Sequence, residues 1–184
     1  MATHFRLAGM MVIGARCSLV GLALAAGLLA ACSPSEQGVS TARSGDPVIV
    51  LSEGACDQTC PVYDMTLHPD GSYLLNGARF VKTAGVTEGK LDGSAWTAAQ
   101  AALDEASFWT LEPNQTSSDH PSCVEGTPTV SVTVRLADGK QKTLTYRAGC
   151  GGDEGRALIP ALREAFTFHD LVWTDERFAR DGSR

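Results

Sequence analysis

The stretch Val130-Ser-Val-Thr-Val-Arg-Leu136, then Ala137-Asp138-Gly139, then Lys140 to Tyr146, admits one strand register. Val130, Val132, Val134 and Leu136 alternate with Ser131, Thr133 and Arg135, the period-two pattern of a half-buried strand. Leu144 and Tyr146 continue the apolar face after the turn. A two-residue Asp-Gly turn pairs Ala137 with Lys140 and sets Val134 opposite Thr143, which puts the apolar faces out of step. A three-residue turn with Gly139 in the left-handed conformation pairs Leu136 with Lys140, Val132 with Leu144 and Val130 with Tyr146. A slip of one residue turns every side chain to the other face, so burial selects the three-residue turn.

The same form occurs earlier. Tyr63, Met65 and Leu67 alternate with Asp64, Thr66 and His68, and Pro69-Asp70-Gly71 turns the chain into Ser72 to Asn76. The same count puts Leu67 opposite Tyr73 and Met65 opposite Leu75. Gly71 and Gly139 are then equivalent, both at exposed turn tips. The β-branched run Pro47-Val-Ile-Val-Leu51 predicts a first strand. Ser94 is the expected N-cap of a helix near Ala95 to Ala106, with Trp96, Ala99, Leu103 and Ala106 as its apolar stripe. A second helix runs near Glu154 to Phe166, with Leu158, Leu162 and Phe166 on one face. Pro160 belongs in its first turn, or the helix bends there. These elements predict an α+β fold: an antiparallel sheet of two or more hairpins, with two helices packed on one face.

The N-terminus reads as a processing signal rather than as part of the fold. His4, Arg6 and Arg16 precede an uncharged run from Ser18 to Ala31, too short to span a bilayer comfortably. The true start could equally be Met1, Met10 or Met11. The run closes on Leu29-Ala30-Ala31-Cys32, which resembles the lipobox of bacterial lipoproteins: an apolar residue, two small ones, then the cysteine that receives lipid. That resemblance implies a signal peptide over 1–31, cleavage before Cys32 and lipid on its sulfur. It implies an envelope protein anchored to a membrane, and Ser33 points to the outer membrane, facing the periplasm. Loss of 31 of the 184 residues takes two of 15 basic residues, leaving 13 against 21 acids, a formal −8. So acidic a body disfavours nucleic acid or an anionic membrane surface as partners, and leaves a protein partner in the envelope. Residues 32–45 read as the lipidated N-terminus and a flexible tether, 46–174 as a single domain and 175–184 as a polar tail.

Of six cysteines, Cys17 leaves with the signal and Cys32 takes lipid. Cys56, Cys60, Cys123 and Cys150 remain, with three possible pairings. Disulfides persist outside the cytoplasm. The hairpin register puts Cys150 opposite Gly126, close to Cys123. A Cys123–Cys150 bridge would close the open mouth of that hairpin, worth about 3.5 kcal/mol by loop entropy, and leaves Cys56 with Cys60 in a ring worth about 2 kcal/mol. Two other readings compete. A four-cysteine zinc site usually has two closely spaced pairs, which these spacings lack. A thiol oxidoreductase places C-x-x-C at a helix N-terminus, whereas Cys60-Pro61 leads into a strand.

The opening Cys56-Asp-Gln-Thr-Cys60-Pro-Val-Tyr63, with Asp70-Gly71 after it, resembles an uncharacterised bacterial domain family found largely in secreted and lipid-anchored proteins. The resemblance covers about Pro47 to Trp173 and implies the fold, not an activity. Gln58 stands where that family usually has glycine.

Other patterns carry little. Asp119-His120, with Ser117, Ser118 and Ser122 nearby, lacks the G-x-S-x-G elbow of a hydrolase, and triads are recognised by geometry. Asn114-Gln115-Thr116 matches a glycosylation acceptor by chance in a bacterial lipoprotein. Gly149-Cys150-Gly151-Gly152 lacks the lysine of a phosphate loop. His68 and His169 have no ligands at metal spacing. The expected role is therefore a non-enzymatic binding or structural domain, with no catalytic residue, metal or cofactor implied. The alternative is a thiol-redox protein or an enzyme with an unrecognised site. The loop from Glu112 to Thr127, long and without periodicity, is where binding is expected first.

Overall fold

In a computed structural model, residues 45–117, 123–147 and 150–175 are described. The signal segment, Cys32, most of the tether and the tail from Glu176 lie outside the described residues, as do Ser118, Asp119, His120, Ser122 and Gly149. Seven strands form one sheet: β1 (Val48–Glu53), β2 (Val62–Leu67), β3 (Ser72–Arg79), β4 (Gly85–Lys90), β5 (Asn114–Gln115), β6 (Thr129–Arg135) and β7 (Gln141–Arg147). Their order is β4-β3-β2-β1-β6-β7-β5, antiparallel except for the parallel β5–β7 pair. The helices are α1 (Ser94–Glu105), α2 (Asp153–Ala165) and the short α3 (Phe168–Leu171). The fold is therefore α+β, and the segment Thr41–Arg184 is a compact unit of its own.

Both hairpins have the three-residue turn. Val130 pairs with Tyr146 and Val132 with Leu144; Met65 pairs with Leu75 and Leu67 with Tyr73. Gly71 and Gly139 sit at φ +83° and +84°. They are not equivalent, however. Gly139 is exposed, whereas Gly71 is buried, with its carbonyl accepting from the Leu91 amide. The chain leaving β4 folds back over the first turn, which no local pattern announces.

Alternation places Ile49, Leu51, Met65, Leu67, Val132 and Leu144 on one face, each with no exposed surface. Burying a side chain of this size is worth about 1.5–3 kcal/mol. The opposite face carries Ser52, Asp64, Thr66, Ser131 and Thr133, half-buried or exposed, with Thr133 and Thr143 hydrogen-bonded across strands at 2.8 Å. The helices share the apolar core. Small residues of α1, namely Ala95, Ala99 and Ala102, are buried where it meets α2.

Local expectations need correction. Gly93, not Ser94, is the N-cap of α1, and the Asp92 carboxylate accepts from the Ser94 amide at 2.9 Å. Trp96 is only half-buried; Ala95 and Ala102 share the stripe with Ala99 and Leu103. Pro160 lies in the middle of α2, not in its first turn. It removes the amide that would bond to the Arg156 carbonyl. Both residues are on the exposed side of the helix, where solvent can satisfy that carbonyl. The first strand runs on to Glu53. Strands β4 and β5 and helix α3 have no counterpart in the sequence reading.

Two helix ends use side-chain-bearing residues where glycine is usual. Ser107 (φ +51°) follows α1, with Phe108 N–H donating to the Leu103 carbonyl and Ser107 N–H to that of Asp104. This is a Schellman motif, and it delivers Phe108 into the core. Thr167 (φ +50°) ends α2 and reverses the chain into α3.

Candidate functional site

The core-facing alternation of β1 runs Ile49, Leu51, Glu53, so its last inward position is a carboxylate. Glu53 pairs with Tyr63 of β2 on one side and Val130 of β6 on the other. Its side chain is 3% exposed. A carboxylate this deep needs a partner. Arg163 supplies it from α2, with Nη2 donating to Glu53 Oε2 at 2.6 Å. Arg163 follows Ile159 by one turn and Leu162 by one residue, so the burial of that stripe aims it at the strand end.

Tyr63 completes the cluster. Its hydroxyl is buried beside the Glu53 carboxylate and the Arg163 guanidinium, whose Nε is buried as well. Burial, and after it the charge of Glu53, pushes the Tyr63 phenol well above its ordinary value. Burial raises the Glu53 carboxyl, and Arg163 offsets part of that rise. For Arg163, burial is the largest influence and works against the charge, but Glu53 and Tyr63 together outweigh it and the net shift is upward. The guanidinium also lies over the Phe168 ring, 5.1 Å from its centroid, and Tyr63 packs against the same ring at 5.6 Å.

The pair lies beside a cavity of about 680 Å³ between this end of the sheet and α2–α3. This lies within the range of small-molecule pockets, about 300–1,000 Å³. Val130 and Tyr146 form the sheet side with Glu53, and Arg156, Ile159 and Pro160 form the α2 side with Arg163. Phe168 and Trp173 form an aromatic wall, with ring centroids 6.2 Å apart. That wall is held from behind: Lys82 N–H donates to the Val172 carbonyl and Lys82 Nζ to that of Asp170. Pro61 and Pro128 also line the cavity.

Both disulfides brace this end of the domain. Cys56 is bonded to Cys60, which itself lines the cavity, and Cys123 is bonded to Cys150. The two loops are joined: Asp57 N–H donates to the Gly126 carbonyl at 3.0 Å, and Gly54 N–H to that of Thr129 at 2.9 Å. Arg147 spans the second bridge, with Nε 3.2 Å from Cys150 Sγ and Nη2 3.0 Å from the Thr116 carbonyl. Cys60 leads through Pro61 into β2, not into a helix N-terminus.

None of the described residues of the loop from Glu112 to Thr127 lines the cavity. Part of it becomes β5, whose Gln115 side chain fills the space above Gly151 and Gly155. His169 is in α3, edge-on to Phe168 at 5.6 Å. Among the described residues no group of three or more His, Cys, Asp and Glu side chains converges as a metal site, and no helix is long and apolar enough to cross a membrane.

Glu53 and Arg163 were missed in the sequence because the run Val48-Ile-Val-Leu51 is apolar at every position and hides its phase. Only Ile49-Leu51-Glu53, read as an alternation, signals an inward acid. Among curated proteins, none matches the chain. Residues 47–166 match the model of a domain of unknown function, DUF6438; the match takes in Glu53, Tyr63 and Arg163 and stops short of Phe168 and Trp173, and the chain belongs to that family.

Proposed function

We propose that this is a lipid-anchored protein of the bacterial cell envelope, held in the outer membrane and facing the periplasm. Its folded domain is a non-enzymatic binding module, and the cavity between the strand ends and α2–α3 is its binding site. One observation carries the binding reading: a largely apolar cavity of about 680 Å³ with a buried Glu53–Arg163 pair beside it. Few polar groups in an otherwise apolar concavity is the usual make-up of a ligand site. Glu53 is tied to Arg163 at 2.6 Å, which suits it to holding the site's shape rather than to proton transfer. The anchoring reading rests on Leu29-Ala30-Ala31-Cys32.

Each half has its own test. Cys32→Ala should move the protein from the detergent phase to the aqueous phase; identical partitioning of both forms refutes the anchor. Native mass spectrometry of protein extracted from its own envelope should show a bound small molecule. Ile159→Trp, which fills the cavity, should lose it while keeping the wild-type circular dichroism. Retention of the adduct by a folded Ile159→Trp variant refutes the site.

A further inference from the structure

We propose that the cavity takes a small amphiphilic carboxylate, its acid group against Arg156 and Arg163 and its apolar body against Phe168 and Trp173. This rests on the binding reading above and names the ligand's chemistry.

Arg156, Ile159, Pro160 and Arg163 stand at i, i+3, i+4 and i+7 on α2, so one face of the helix offers two guanidinium groups with an apolar step between them. At a rise of 1.5 Å per residue, their backbones are about 10 Å apart. Among the described residues Glu53 is the only acid lining the cavity, and Arg163 already holds it. Among the described residues Arg156 pairs with Asp153, at 3.6 Å, whose side chain is 91% exposed. A pair so open to water contributes little and yields easily to a ligand. The described lining residues therefore carry two positive charges and one negative. This excess of one positive charge stands in a protein whose formal charge is −6. One anion neutralises it.

Guanidinium groups match carboxylates through parallel N–H donors. The Arg163 side chain lines the cavity and is 31% exposed, although Nε is buried and Nη2 is held by Glu53. The rest of the lining defines the ligand's other end. Pro61, Pro128, Ile159, Phe168 and Trp173 offer carbon surface, and among the described lining residues the uncharged polar groups are the Thr59 hydroxyl, the Tyr146 phenol and the Trp173 indole N–H. A ligand rich in hydroxyls, such as a sugar, would lose its hydration there for few hydrogen bonds. An apolar body gains from the same surface.

The test uses the chain from Thr41 to Arg184. Decanoate, decanol and decyltrimethylammonium are titrated below their micellar concentrations, read by calorimetry and by Trp173 fluorescence against a Trp173→Phe control. Decanoate should bind roughly tenfold tighter than decanol, as one added ion-pair contact implies, and decyltrimethylammonium weakest. Arg156→Glu should remove the preference for decanoate over decanol. If decanoate and decanol bind alike, or Arg156→Glu keeps the preference, the carboxylate inference is wrong and the cavity remains a binding site. If none of the three binds, the binding reading falls with it.

Discussion

Breaking the Glu53–Arg163 pair from its two ends should have unequal effects. Arg163→Ala leaves the carboxylate of Glu53, 3% exposed, without its partner. Removing one member of a buried pair destabilises by about 3–5 kcal/mol, a large part of a domain stability of about 5–15 kcal/mol. Glu53→Gln is milder. The amide keeps an acceptor oxygen at the same place, and Arg163, at 31% exposure, can turn its charge toward water. The loss of one charge-assisted hydrogen bond is worth about 1.5–3 kcal/mol, and the solvent access of Arg163 puts this variant at the low end. The pH dependence has a definite sign. Burial raises the Glu53 carboxyl above its ordinary 4.5, so folding favours its protonated form. Its contribution is fully present below the unfolded value and is lost as pH rises through the folded value. The stability advantage of wild type over Glu53→Gln should therefore shrink as pH rises above the ordinary carboxylate range. Urea unfolding of the chain from Thr41, with each variant at three pH values, measures all of this. Equal destabilisation by the two substitutions, or an advantage that grows with pH, would refute the reasoning.

The two turn glycines should now separate. Gly139→Ala places a Cβ at φ +84° in open space and should destabilise by about 1 kcal/mol, or about 3–5 °C in Tm for a domain of this size. Gly71→Ala adds a Cβ only 2.9 Å from the Leu91 carbonyl oxygen and should lower Tm clearly further; equal shifts in thermal melts would show that β4 does not close over the first turn. The Cys123–Cys150 bridge should be worth on the order of 2–4 kcal/mol, read as the Tm difference between wild type and a Cys123→Ala/Cys150→Ala double variant. Thiol titration of the unreduced chain from Thr41 should find no free thiol, and a reactive pair there would favour the redox alternative.

The parts of the fold that burial writes into the sequence were legible, and the parts held by backbone contacts were not. Val130 to Tyr146 declared its register because a slip would expose Val132 and Leu144. In contrast, β4, Gly-Val-Thr-Glu-Gly-Lys, is almost wholly exposed and joins the sheet through its ladder with β3. With no face to bury it has no periodicity to read. The helix ends at Ser107 and Thr167 were hidden for a related reason. Glycine is the expected residue at φ near +50°, and burial of Phe108 and Phe168 just after each turn outweighs the strain. Of the cavity, the sequence reading held Cys60 and the strand ends. It lacked α3, whose four residues are too few to show a helical period.

Strand β1 has mechanical consequences. It lies at the centre of the sheet, antiparallel to both neighbours, registered through five residue pairs with β2 and six with β6. The described chain enters at its Val48 end, and Glu53 with the cavity lies at the other, about 17 Å away at 3.3–3.4 Å per residue. Antiparallel hydrogen bonds run perpendicular to their strands. A pull on the N-terminus along β1 therefore loads both ladders in shear, so that many bonds must yield together instead of opening one after another. A leash attached at that end would pull against both ladders at once, with Glu53 and the cavity at the far end of the loaded strand.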